Sequence, residues 1–141
     1  MTSTPTLPIF VYGTLQRGKE RASLWPHPAE RIEWAMVEGT LYDLGPYPAL
    51  VPGHFKVRGE LWHLAPKHLA KTLTVLDRVE GFSQPCTEIW YRREIVVCYP
   101  DEQESCDAYT YFYARTDELT DAMIVRPDSS GKCHWQHVPE E

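Results

Sequence analysis

The sequence predicts a barrel-like or strongly curved β-sheet carrying one main packed helix. Three observations point there. Turn signals are dense, short β-type runs lie between them, and one longer stretch repeats its apolar residues at helical spacing. Twelve prolines and eight glycines punctuate 141 residues. Many fall in turn-forming groups at Gly45-Pro46, Tyr47-Pro48, Pro52-Gly53 and Ser129-Ser130-Gly131. Many short strands joined by tight turns favour a sheet that curls on itself.

The elements follow in order. Pro8 to Tyr12 is rich in β-branched and aromatic residues and ends at Gly13, which predicts a first strand. A short helix is expected from near Lys19 to Trp25, because proline at 26 disfavours helical backbone in the residue before it. Glu33 to Leu44 reads as one or two strands around Gly39, and Phe55 to Leu64 as another with an internal glycine. The main helix is expected from Pro66 to about Glu80. Pro66 suits a first turn, Gly81 suits the left-handed residue past the end, and Leu69, Leu73, Leu76 and Val79 form the apolar stripe. Thr87 to Tyr99 and Asp107 to Ala114 make the clearest strand pair, separated by the polar turn from Pro100 to Ser105. The rest, from Arg115 to Glu141, is polar and weakly patterned, and is expected as an irregular arm anchored by Trp135.

Length and composition bound the function. The chain reads as a single domain spanning residues 1–141. Hydrophobic residues make up 43% and aromatics 12%, enough for a core without disulfides or metal. Twenty acidic against fourteen basic residues give a formal charge of −6. That balance argues against a nucleic-acid partner and against docking on anionic membrane. Apolar runs such as Ile95 to Cys98 are far too short to span a bilayer. Met1 to Pro8 lacks a basic stretch followed by an apolar one, so the expected location is the cytoplasm. Cys86, Cys98, Cys106 and Cys133 show no C-x-x-C pair and read as free thiols, with Cys98 and Cys106 flanking one hairpin turn. Cys133, His134 and His137 cluster near the end, but they supply too few ligands in too loose an order for a metal site.

The chemistry-bearing candidates are few. Each helical residue advances about 100°, so Glu80 lies about 1,100° from Leu69, three turns plus roughly 20°. That places Glu80 inside the apolar stripe, with Asp77 about 80° from Leu69 near the stripe's edge. A carboxylate facing a core must be paired or accept a raised pKa, and raised carboxylic acids serve as general acid–base groups. The plainer alternatives are a solvated last-turn residue or a structural acid paired with Arg93. Tyr12-Gly13-Thr14-Leu15 ends a buried strand at a glycine turn, where successive backbone amides form an anion-binding concavity. It matches neither a dinucleotide fingerprint nor a P-loop. Period-2 alternation puts Tyr91, Arg93, Ile95 and Val97 on one strand face and Tyr109, Tyr111 and Tyr113 on another. Such tyrosines either line a pocket with their polar tips or pack as ordinary strand aromatics. Arg93 on an apolar face needs an anionic partner: Glu80, Glu60 or a substrate carboxylate.

Taken in order, these residues resemble the γ-glutamylcyclotransferase-like family, which takes in γ-glutamylamine cyclotransferase, AIG2-like proteins and YtfP/BtrG-like proteins. The resemblance runs from Phe10-Val11-Tyr12-Gly13-Thr14-Leu15 through Gly39-Thr40-Leu41-Tyr42-Asp43-Leu44-Gly45 and Tyr47-Pro48-Ala49-Leu50. It continues through Val57-Arg58-Gly59-Glu60-Leu61-Trp62 and Leu76-Asp77-Arg78-Val79-Glu80-Gly81, then Tyr91-Arg92-Arg93 and the aromatic strand from Ala108 to Tyr113. It covers roughly residues 8–115, leaving 116–141 as the less typical arm. The resemblance implies a small α+β fold built on a mixed β-barrel with its cavity at one end. It implies that Tyr12 to Leu15 bind a glutamyl group, that Glu80 is the general acid or base, and that Tyr111 or Tyr113 helps line the pocket.

The expected activity is therefore cyclisation of a γ-glutamyl group to 5-oxoproline with release of an amine or amino acid. No metal or organic cofactor is expected, because nucleophile and electrophile share one molecule. Arg93 and Tyr91 are expected to contribute to substrate binding. The expected partner is a small γ-glutamyl compound, and the protein a monomer or weak homodimer. Two rival readings remain: a non-catalytic metabolite-binding module on the same barrel, and removal of a γ-glutamyl protecting group from a biosynthetic intermediate. An interaction role for surface aromatics is a further class.

Overall fold

The computed structural model describes residues 6–19, 21–45, 47–79, 90–101 and 103–135. Six strands and one α-helix are described: β1 (Ile9–Val11), β2 (Arg31–Asp43), β3 (Pro48–His63), α1 (Pro66–Val79), β4 (Tyr91–Pro100), β5 (Cys106–Tyr113) and β6 (Lys132–Cys133). The sheet runs β1-β5-β4-β2-β3-β6, and a further pairing of β1 with β3 closes the first five strands into a barrel. β1 and β5 are parallel and the other barrel pairings antiparallel, so the barrel is mixed. The α+β barrel class and the main helix stand as the sequence predicts.

Alternation explains how one barrel makes two cores. Phe10, Val37, Leu41, Leu50, Val57, Leu61, Cys98 and Ala108 come from all five barrel strands and pack together inside it. The alternate residues Ile9 and Val11 of β1 point the other way. They join Leu69, Leu73 and Leu76 of α1 with Tyr91, Tyr109, Tyr111 and Tyr113 in a second cluster. The helical stripe read from sequence is thus the surface that seals α1 against the barrel. The face shared by Tyr91, Arg93, Ile95 and Val97 is buried at Tyr91, whereas Ile95 and Val97 are half exposed.

Of the two alternatives for residues 33–44, the single strand holds: β2 runs unbroken through Gly39 and ends at Asp43. Two boundaries differ from expectation. β3 begins at Pro48, well before Phe55, because Pro52-Gly53 marks a bulge and not a turn. The partner of Gly39 is Phe55, while that of Thr40 is Val51, so residues 52–54 are the excess. A Cβ on Gly53 would stand 2.1 Å from Thr40 Oγ1, which only glycine avoids. The arm after Arg115 is also not wholly irregular. It forms two 3-10 turns, then β6 pairs parallel to β3, and Trp135 is buried in the barrel cluster. A polar segment gives little periodic signal, so only docking onto β3 reveals this strand. Among the described residues no helix is long and apolar enough to cross a membrane.

Candidate active site

The loop after β1 is held by its carbonyls. Gly13 O accepts from the Gln16 amide at 3.1 Å and from Gln16 Nε2 at 3.2 Å. Thr14 O accepts from the Arg21 amide at 2.8 Å, and Leu15 O from Trp25 Nε1 at 2.9 Å. Beneath the loop lies Glu60, 3% exposed. Its carboxylate accepts from the Arg17 amide and Arg17 Nε, both at 2.9 Å, and from Trp62 Nε1 at 3.1 Å. Trp62 in turn stacks on Trp25 with ring centroids 3.9 Å apart.

The carbonyls of Gly13, Thr14 and Leu15 are thus all engaged, but the amides of these three residues are not. Among the described residues, no acceptor takes the amides of Gly13, Thr14 or Leu15. All three residues are buried. Buried amides ordinarily find a partner, and three in succession are chemically able to receive an anion or a carbonyl oxygen.

Gly13, Thr14 and Leu15 line a small recess that is partly open to solvent. Tyr12 to Leu15 form one side, with Tyr47, Pro48, Tyr91 and Tyr111 across from them and Arg21 completing the lining. Gly13 is required here: a Cβ would stand 2.7 Å from Pro48 Cγ. The tyrosine hydroxyls fix the walls. Tyr12 donates to the Tyr111 carbonyl at 2.5 Å, and Tyr91 donates to the Pro48 carbonyl at 2.7 Å.

Behind the recess, Asp77 on the last turn of α1 binds two strands. It is 8% exposed, and accepts from Tyr111 Oη at 2.6 Å on one oxygen and from Arg93 Nη1 at 2.6 Å on the other. The Arg93 guanidinium also lies over the Tyr109 ring, 5.5 Å from its centroid. Tyr113 packs edge-on against Tyr91 at 5.3 Å and donates to Glu118 at 3.3 Å. Burial first, then the neighbouring Glu118 charge, raises the Tyr113 phenol above its ordinary pKa and keeps it a neutral donor.

Of the residues singled out from sequence, Tyr12, Gly13, Thr14, Leu15, Tyr91 and Tyr111 therefore meet at one recess. Arg93 and Tyr113 stand behind it, each touching a lining residue or its support. Glu80 lies outside the described residues, as do Gly81, Cys86 and His137. Among the anionic partners weighed for Arg93, Glu60 is engaged elsewhere; Asp77 is a partner the spacing argument left at the stripe's edge. Sequence reasoning missed Glu60 as the loop's anchor, Tyr47 and Pro48 as the far wall, and Arg21 beside the amides. The wheel position of Asp77 was a usable signal. Arg21 offered none, since an arginine in a polar loop reads as solvated charge. Among the described residues no group of three or more His, Cys, Asp or Glu is arranged to hold a metal.

Comparison with known proteins adds independent findings. A family model described as γ-glutamyl cyclotransferase, AIG2-like, matches residues 9–135. A curated Vibrio cholerae relative, provisionally named a γ-glutamylcyclotransferase, is 33% identical over 112 residues, 79% of this chain and 85% of that protein. The solved structure of YtfP from Escherichia coli is 30% identical with a TM-score of 0.53, covering 81% of this chain and 89% of that one. YkqA from Bacillus subtilis has a TM-score of 0.54 at 23% identity over 76% of this chain. This chain spans only 35% of YkqA, and the likeness concerns the fold.

Proposed function

The chain belongs to the γ-glutamyl cyclotransferase, AIG2-like family, and from that premise we propose that it converts a γ-glutamyl compound to 5-oxoproline and a free amine. The observation that carries this reading is the row Gly13 to Leu15 in the lining of the recess, three buried residues whose amides no acceptor among the described residues takes.

In the proposed reaction the free α-amine of the substrate attacks its own γ-carbonyl carbon. Glu80 removes a proton from that amine. A five-membered lactam closes, the amide C–N bond breaks, and Glu80 returns the proton to the departing amine. The Gly13 to Leu15 amides hold the glutamyl carboxylate or the oxygen on which charge develops. Holding nucleophile and carbonyl in one bound conformation supplies much of the rate. Two things support Glu80 in this role. It occupies the acid position of the family-like run Leu76-Asp77-Arg78-Val79-Glu80-Gly81. It also follows Asp77, whose carboxylate reaches Tyr111 of the recess, by three residues in sequence.

The test is release of 5-oxoproline from a panel of γ-glutamyl amines, γ-glutamyl amino acids and γ-glutamyl-ε-lysine. We expect turnover with at least one class, and its loss in Glu80→Gln with the fold retained by circular dichroism. Undiminished turnover in Glu80→Gln would remove Glu80 from the mechanism. Binding without any 5-oxoproline release by the native protein would make it a metabolite-binding module.

A further inference from the structure

Arg21 has no carboxylate partner among the described residues. Arg17, Arg31, Arg58, Arg93 and Arg115 each face a carboxylate within the protein. Arg21 is only partly exposed and lines the recess, yet no carboxylate among the described residues lies within ion-pair reach of it. Its backbone is pinned, since its amide donates to Thr14 O at 2.8 Å. Its guanidinium sits 6.0 Å from the centroid of the Tyr47 ring, on the far wall. Stacking on an aromatic face orients a guanidinium while leaving its five N–H donors available, and that planar fork matches a carboxylate.

The recess thus presents two separate anion-binding elements. One is the amide row at Gly13 to Leu15, and the other is the Arg21 fork near Tyr47. Every γ-glutamyl compound brings one carboxylate, on the glutamyl unit itself. With the amide row on the glutamyl carboxylate, the second element is explained by a second carboxylate, which has to lie on the amine side of the γ-amide bond. We propose that Arg21 is a specificity-determining residue that binds a carboxylate on the leaving group. The preferred substrates are then γ-glutamyl amino acids or peptides, not γ-glutamyl derivatives of neutral or cationic amines. This rests on the reading of the recess as a γ-glutamyl site.

Two compounds that cannot cyclise separate this proposal from the catalytic one. Glutaryl-alanine and glutaryl-ethylamide share the glutaryl unit and lack the nucleophilic amine, and only the first carries a carboxylate beyond the amide. By titration calorimetry, the native protein is expected to bind glutaryl-alanine about tenfold more tightly than glutaryl-ethylamide, as one charge-assisted carboxylate contact provides. Arg21→Gln should erase that preference, and Arg21→Lys should restore part of it, since the charge returns without the fork. A native protein that binds neither compound, or shows no preference, overturns the proposal. So does an Arg21→Gln variant of unchanged melting temperature that keeps the preference, or one that weakens both compounds equally; the latter would place Arg21 on the shared glutaryl carboxylate. An intact preference with no 5-oxoproline formed from γ-glutamyl-alanine would overturn the catalytic reading and leave the Arg21 assignment standing.

Discussion

Asp77 concentrates the most consequence in one side chain. Its two oxygens take the hydroxyl of Tyr111 and the guanidinium of Arg93, so one acid ties α1 to β4 and β5 immediately behind the recess. Removing an acceptor from buried, charge-assisted bonds strands the donors as well as losing the contacts. Asp77→Ala should therefore destabilise the protein by about 2–4 kcal/mol in urea unfolding. A change below about 0.5 kcal/mol, the scale of an ordinary surface substitution, would show that the network does not hold the helix. Glu60 acts by the same physics on the other side of the site. It converts the turn after β1 from a polar loop into a fixed one by gripping both the backbone and the side chain of Arg17.

At the scale of elements, the β4–β5 hairpin sets the positions of three tyrosines and two cysteines through a single register. Tyr91 pairs with Tyr113, Arg93 with Tyr111, and Cys98 with Cys106. Burial pushes the Cys98 thiol up to about 12, with Cys106 and Glu33 nearby adding to the shift. Cys106 is only partly buried. The thiolate is the reacting species, so at pH 8 iodoacetamide should alkylate Cys106 well before Cys98 in the folded protein. Peptide mapping by mass spectrometry reads the order, and equal rates for the two would contradict the hairpin's register and the burial of Cys98. The sequence made this hairpin legible because its strands alternate and its turn is polar. The bulge at residues 52–54 was not legible, because Pro-Gly reads equally as a turn or as an interruption until the partner strand is known.

Across the whole molecule, five strands close on themselves and the C-terminal arm returns to β3. Trp135 is 2% exposed and packs with Phe10, Leu41, Leu50 and Val57 in the barrel cluster. Its ring lies in the same core that supports β1 and the loop after it. Trp135→Ala should cost about 3–5 kcal/mol, as for a large aromatic lost from a packed interior. Denaturant unfolding checks this. A loss under about 1 kcal/mol, the mean for an arbitrary substitution, would mean that the arm merely lies on the surface.

The sequence by itself determined the periodic features: the alternating runs at the centre of the barrel strands, which run is the helix, and that the strand ending at Gly13 leads into a tight turn. Local spacing carries such information because burial forces apolar residues onto one side of each element. The tertiary structure alone decided what meets. Asp77 was visible at the edge of a helical stripe, but that it joins Tyr111 and Arg93 depends on how α1 lies across β4 and β5. Glu60 and Arg21 each read in sequence as an ordinary charge, one in a strand and the other in a polar loop. Packing buries the first under the loop with three donors around it and leaves the second beside the recess, with no carboxylate among the described residues to neutralise it. The difference lies in contacts between residues far apart in the chain, on which the period of a single strand or helix is silent.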